Sequence, residues 1–190
     1  MSILDLSFQD LKGNSLKLSE ITLNQKAFIY ILRRFGCKLC RLESIKISSL
    51  KPALDAIGVK LIGICHDANN YQEFVRDGYF LGDLYLDPTK SIYSHLGLGA
   101  SGKIAGAKDI ISKAGRDRIS QASNMRVSGN FTGDGFQLGG VVIIDSDGKY
   151  IFEFKQQQGS DSCDLEKVTS SLGLDKELFL DIDDWENWSR

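Results

Sequence analysis

Residues 27–32 read Ala-Phe-Ile-Tyr-Ile-Leu, and residues 33–41 continue Arg-Arg-Phe-Gly-Cys-Lys-Leu-Cys-Arg. The first six form a near-continuous apolar run rich in β-formers, the pattern of a central strand covered on both faces. The next nine place two thiols, Cys37 and Cys40, where that strand ends and a helix begins. From Cys40 onward Leu42, Ile45, Ile47, Leu50, Leu54 and Ile57 recur at roughly helical spacing as far as Gly58. Pro52 is expected to kink this helix, because it lacks a backbone donor and its ring crowds the preceding turn. Val59 to Cys65 is a second buried-strand run. A strand, a helix and a strand in this order imply a parallel core, with Cys37 at the carboxyl edge where chemistry tends to collect.

Upstream, Leu4, Leu6 and Phe8 alternate before Gly13-Asn14, and Leu16 and Leu18 follow it, as in a short hairpin. Downstream, Asn70-x-x-Glu73 has the reach of a capping box opening a short helix that ends near Gly78. Leu84 to Asp87 reads as a short strand and Asp87-Pro88 as a helix start. Ile104, Ile111, Ala114, Ala122 and Met125 suggest a further helix, weakened by Gly106 and Gly115. Gly139 to Asp145 and Lys149 to Phe154 flank Ser-Asp-Gly as an antiparallel hairpin, and a helix from Asp164 to Leu172 stops at Gly173. The expected class is one α/β domain: a mixed sheet flanked by helices, with an N-terminal hairpin.

The chain has 190 residues, 42% of them apolar and 25% charged. This is the mix of an ordinary globule, with one domain expected over residues 1–173 and an acidic tail over 174–190. A formal charge of −2 argues against a nucleic-acid binder. The longest apolar stretch, Ala27 to Leu32, is too short to cross a bilayer, and Asp5 sits where a secretory leader would be basic and then apolar. A cytosolic protein without integral membrane association is expected. The tail holds six acidic and two basic residues, leaving +2 for residues 1–173. Its Trp185 and Trp188, at helical spacing, suit a terminal helix docked on its own domain or, alternatively, a partner-binding motif.

In a reducing compartment a Cys-x-x-Cys pair is redox-active or metal-binding. Helix N-terminal amides and the positive charge of Arg33, Arg34, Lys38 and Arg41 favour a thiolate at the pair. The first thiol can attack and the second resolve. Metal binding would need two more ligands, and Cys65-His66 lacks the usual paired spacing. His66, at the end of the second strand, is a candidate to tune or protonate a thiol, or has no mechanistic role. Cys65 and Cys163 read as bystanders. Gly97-Leu-Gly-Ala-Ser-Gly102-Lys103 superficially fits a nucleotide-binding loop, but no strand precedes it and Ile104 stands where Ser or Thr would bind magnesium.

Arg33-Arg34-Phe35-Gly36-Cys37-x-x-Cys40-Arg41 resembles the signature of the peroxiredoxin-like 2 family, in particular its prostamide/prostaglandin F synthase branch. Tyr79 to Asp87, and Gly129-Asn130 with Gly133-Asp134 running into Gly139-Gly140, add to the resemblance. It implies a thioredoxin-like fold and a thiol-dependent oxidoreductase reducing prostaglandin H and prostamide H to F-series products. It also implies no tightly bound cofactor, with NADPH as ultimate electron donor through a thioredoxin-type reductant and its reductase. Cys37 and Cys40 are the expected catalytic pair. Arg34, Phe35, Gly36, Arg41, His66 and Gly139 are candidates for activating them or lining the substrate pocket. Gly139, or Leu138, stands where thioredoxins place a proline facing the cysteines, and a glycine there would leave room beside the sulfurs. Peroxiredoxins carry Thr-x-x-Cys at this point, with the nucleophile where Cys40 stands and a Glu three residues on, as Glu43 is here. A general hydroperoxide-reducing antioxidant or redox-regulatory protein is the alternative function.

Overall fold

The computed structural model describes residues 1–102, 106, 108–109 and 111–188. Its strands are β1 (Ser7–Gln9), β2 (Ser15–Lys17), β3 (Lys26–Leu32), β4 (Val59–Cys65), β5 (Asp83–Leu86), β6 (Gly140–Ile144) and β7 (Tyr150–Lys155). They form one sheet in the order β2-β1-β5-β4-β3-β6-β7. β3 pairs parallel with β4, and β4 with β5; the remaining pairs are antiparallel. A parallel core with a hairpin at each end is the mixed sheet expected from the element order.

The helices are α1 (Leu18–Thr22), α2 (Lys38–Ser48), α3 (Lys51–Ala56), α4 (Tyr71–Arg76), α5 (Ser91–His95), α6 (Lys113–Asn124) and α7 (Leu165–Leu172). The parity of the central strands divides them into two layers. Phe28, Tyr30 and Leu32 of β3 join Leu61 of β4 and Val141 of β6 under α2, α3, α4, α6 and α7. Ala27, Ile29 and Ile31 face the other way, against Ile62, Ile64, Val142, α1 and α5. Both faces of β3 are therefore buried, which explains its continuous apolar run.

Several local expectations are corrected. The long helix does not kink at Pro52. It breaks at Ser49-Leu50, and Pro52 sits in the first turn of α3, where backbone donors have no intrahelical partner to lose. Asn70 makes no side-chain cap; it holds a left-handed backbone, and Glu73 turns instead to Arg41 at 2.9 Å. Pro88 lies in a turn before α5, which the Asp87 carboxylate opens by accepting from the Ile92 N–H at 2.9 Å. α6 begins after the Ser112 cap, while Lys103 and Ile104 lie outside the described residues. The Gly97 region makes no phosphate cradle in its described part. Ala100 bridges to Gln137 and Leu138 N–H donates to Gly99 O, so the segment pairs with the approach to β6. Residues 174–188 coil as two 3-10 turns, Lys176–Leu178 and Ile182–Asn187, rather than an α-helix. Leu180 N–H bonds Ser49 O, and Trp185 is buried. Among the described residues no helix is long and apolar enough to cross a membrane.

Candidate active site

β3 ends at Leu32, and a four-residue turn delivers Cys37 as the N-cap of α2. Its sulfur does what a Ser or Asp oxygen does at other helix starts: it accepts the Cys40 N–H, at 3.4 Å. The Cys40 thiol lies one turn further in, and the Cys40 carbonyl accepts from Tyr30 Oη at 3.2 Å.

The two thiols are electrically unlike. The Cys40 side chain hydrogen-bonds to Cys37, burial opposes this, and the guanidinium of Arg33 and then that of Arg34 favour the anion; together they bring Cys37 down from 9.0 to about 5. Burial, with the neighbouring Cys37 sulfur, pushes Cys40 far up, so it remains a protonated donor. Burial also pushes Cys65 and Cys163 to about 12, which leaves both as inert thiols in the core.

The two arginines are held by backbone rather than by carboxylates. Arg33 donates through Nε to Gln137 O (3.1 Å), through Nη1 to Gly159 O (2.8 Å) and through Nη2 to Gly135 O (2.8 Å). Arg34 Nη1 donates to Asn130 O (2.7 Å) and Thr132 O (2.8 Å). Every acceptor is a neutral carbonyl, so these bonds fix both side chains without cancelling their charge.

Cys37 opens into a cavity of about 490 Å³. Arg33, Arg34, Lys38 and the carboxylate residue Asp109 give it a charged lining, and Leu39, Ile119, Phe131 and Phe136 an apolar one. Cys40 is buried and does not line the cavity. Of the candidates for activation or pocket lining, Arg34 alone borders this space. Phe35 is fully buried against Phe74, with ring centroids 5.0 Å apart. Gly36 gives the 130s loop its seat: a Cβ there would lie 2.5 Å from Asn130 Oδ1, and Asn130 N–H donates to Gly36 O at 2.7 Å. Arg41 is fully buried and donates to Phe35 O, Glu73 and Ser128. His66 stacks edge-on against Tyr93 and faces Asp134 at 3.8 Å; burial lowers its pKa. Gly139 does not open room beside the sulfurs. A Cβ there would lie 2.2 Å from Ile31 O, so the glycine serves the close approach of β6 to β3.

Glu43, three residues after Cys40, is also turned away from the chemistry. It is buried on Arg118 (2.8 Å), Ser162 Oγ (2.7 Å) and Cys163 N–H (2.7 Å), joining α2 to α6 and the start of α7. The residues that sequence reading missed are the apolar wall, Leu39, Ile119, Phe131 and Phe136. The visible signal was two phenylalanines inside an otherwise glycine-rich stretch, Phe131-Thr-Gly-Asp-Gly-Phe136. Phe131 is 89% exposed, which is unusual for so large an apolar side chain. Among the described residues no three metal-ligating side chains converge.

Comparison with known proteins bears on the family and the fold. Residues 46–158 match the family model described as AhpC/TSA antioxidant enzyme, a stretch that begins after both cysteines. Prostamide/prostaglandin F synthase of Salmo salar is 33% identical over 167 residues, covering 87% of this chain and 84% of that protein. The Homo sapiens protein of the same name is 32% identical with the same coverage. Among solved structures, peroxidoxin BcpB from Mycobacterium tuberculosis superposes with a TM-score of 0.63 at 15% identity, covering 91% of this chain and 94% of that one. A cysteine-to-serine mutant of the peroxiredoxin 6 of Arenicola marina also reaches 0.63 at 15% identity, covering 91% and 70%. The mixed sheet and its helices are thus the thioredoxin-like fold in its peroxiredoxin form.

Proposed function

Because the chain belongs to the AhpC/TSA antioxidant enzyme family, on the peroxiredoxin-like branch that includes prostamide/prostaglandin F synthases, we propose that it is a thiol-dependent reductase of lipid endoperoxides. Cys37 attacks, Cys40 resolves, and the substrates are of the prostaglandin H and prostamide H type, converted to F-series products. The observation that carries this reading is the division of labour between the thiols: one thiolate facing an apolar-walled cavity, and one protonated thiol buried behind it.

The chemistry follows from that division. The Cys37 thiolate attacks one oxygen of the O–O bond. An S–O bond forms, the O–O bond breaks, and the departing alkoxide takes a proton to become the first hydroxyl. Cys37 is then an uncharged sulfenate ester, so the neighbouring sulfur no longer helps to hold Cys40 up, while burial still favours its thiol form. Cys40 attacks the Cys37 sulfur as its thiol gives up its proton; the S–S bond forms, the S–O bond breaks, and the departing second alkoxide takes up that proton. Two thiols have become one disulfide and one peroxide has become two hydroxyls, so atoms and electrons balance. An external dithiol of thioredoxin type, drawing on NADPH through its reductase, restores the pair by exchange.

The test is a substrate panel, with prostaglandin H, prostamide H and hydrogen peroxide, on wild type, Cys37→Ser and Cys40→Ser with a thioredoxin system. Wild type turns over the endoperoxides, Cys37→Ser does not, and Cys40→Ser stops after one event with a trapped Cys37 adduct. Full endoperoxide reduction by both variants refutes the proposal. Efficient turnover of hydrogen peroxide with none of the endoperoxides replaces it with the general antioxidant function.

A further inference from the structure

We propose that Trp185, in the acidic C-terminal segment, is a positioning residue for the thiol site, acting through Tyr79 and the loop at 128–132. The inference rests on the thiol-based reading above and adds to it a part of the chain remote in sequence from both cysteines.

Trp185 is 6% exposed although most of the residues around it in the 3-10 turn are exposed. Its indole stacks on Tyr79, with centroids 5.2 Å apart and planes at 22°, and its Nε1–H donates to Met125 O at 3.0 Å. Tyr79 Oη lies 3.0 Å from Ser128 Oγ and accepts the Ser128 N–H at 3.4 Å. Arg41 places its guanidinium 4.8 Å from the Tyr79 ring and bonds Ser128 Oγ at 2.6 Å. The next residue, Gly129, sits so close to α2 that a Cβ would lie 2.6 Å from Lys38 Cβ. The residue after that, Asn130, bonds Gly36 and, together with Thr132, supplies the two carbonyls that hold Arg34.

This loop lies in no helix or strand of the sheet, so side-chain anchors such as these do the work that a ladder of backbone bonds does elsewhere. Trp185 supports Tyr79, Tyr79 holds Ser128, and the residues that follow fix Arg34 and one wall of the cavity. Without the indole, Tyr79 gains freedom to turn, the loop loosens, and Arg34 leaves its carbonyl pair. Arg34 is one of the groups that lower Cys37, after the Cys40 thiol, Arg33 and the Cys40 N–H, so its displacement is readable at that sulfur.

The experiment compares Trp185→Ala, Trp185→Phe, Tyr79→Phe and Trp188→Ala. The indole of Trp188 donates to Asp181 O within the tail, which makes it the control for general loosening. Two readouts are used below the melting temperature: the pH midpoint of Cys37 alkylation, and kcat/KM on an apolar peroxide. Trp185→Ala is expected to move the midpoint upward and lower kcat/KM by about 2- to 30-fold. Trp185→Phe restores most of both, and Trp188→Ala leaves both near wild type. Tyr79→Phe keeps the ring and removes only the hydroxyl link, so it reproduces the shift even if Trp185→Ala fails to fold. An unchanged midpoint in folded Trp185→Ala overturns the proposal, as does an unchanged midpoint in Tyr79→Phe or an equal shift in Trp188→Ala. A wild type that turns over no peroxide refutes the proposed function alone, because the alkylation midpoint still reads the positioning.

Discussion

Replacing Cys40 tests the origin of the Cys37 thiolate. The Cys40 thiol is the largest influence lowering Cys37, and the Cys40 backbone N–H at 3.4 Å remains whatever the side chain. Cys40→Ala removes the side-chain donor, whereas Cys40→Ser keeps one. A hydrogen bond to a charged group contributes about 1.5–3 kcal/mol, and 1.36 kcal/mol corresponds to one pKa unit, so alanine should raise the midpoint by about 1–2 units. From a starting value of about 5, the thiolate fraction at pH 7 falls from about 99% to roughly 50–90%. The assay is iodoacetamide alkylation of Cys37 followed by mass spectrometry from pH 4 to pH 10. The midpoint is read rather than the rate, since a more basic thiolate is intrinsically more nucleophilic. Alanine should shift the midpoint upward and serine by much less. If Cys40→Ala kept the wild-type midpoint, the Cys40 thiol would not be what stabilises the anion, and Arg33 and Arg34 would have to account for it.

Cys37 also links stability to pH. Its folded pKa lies below the unfolded one, so its contribution is complete above about pH 9 and is lost as pH falls through about 5. The melting-temperature difference between reduced wild type and Cys37→Ser should therefore grow from pH 5 to pH 9; a flat difference would contradict the depressed value. Glu43→Leu removes a buried carboxylate from the half-buried Arg118, from Ser162 Oγ and from the buried Cys163 N–H, at about 3–5 kcal/mol, or roughly 6–20 °C in Tm for a chain of this size. Differential scanning fluorimetry reads this, and a shift below about 2 °C would refute it. Gly139→Ala drives a Cβ into Ile31 O and should destabilise by about 1–3 kcal/mol in urea unfolding. A stable variant with altered substrate preference would return Gly139 to the pocket. Cys65 and Cys163 should take up iodoacetamide at pH 7.5 only after unfolding, and rapid native labelling of either would refute their inertness.

The limits of the sequence show at particular residues. β4 was legible to its ends because a strand buried on both faces writes its burial into every position. The α7 boundaries were legible to within a residue: Gly173, in the left-handed region, stops the helix as expected, and Asp164 caps it rather than opening it. Asn70-x-x-Glu73 misled because the Glu73 carboxylate had a stronger claimant, the buried guanidinium of Arg41, which no local window contains. Gly139 misled because a glycine that makes room for a ligand and one that makes room for a neighbouring strand look alike in one dimension.

By itself the sequence determined the α/β class, the strand that carries the thiols to a helix start and the closeness of Cys37 to Cys40. All of these rest on periodicity and short-range spacing, which the chain states locally. Only the tertiary structure decided which thiol faces the cavity, that Arg34 borders it while Phe35 and Arg41 do not, and that Phe131 and Phe136 form its apolar wall. The reason is physical. Arg33 and Arg34 reach carbonyls 96 to 126 residues away, and such closures depend on how the whole sheet and its loops pack.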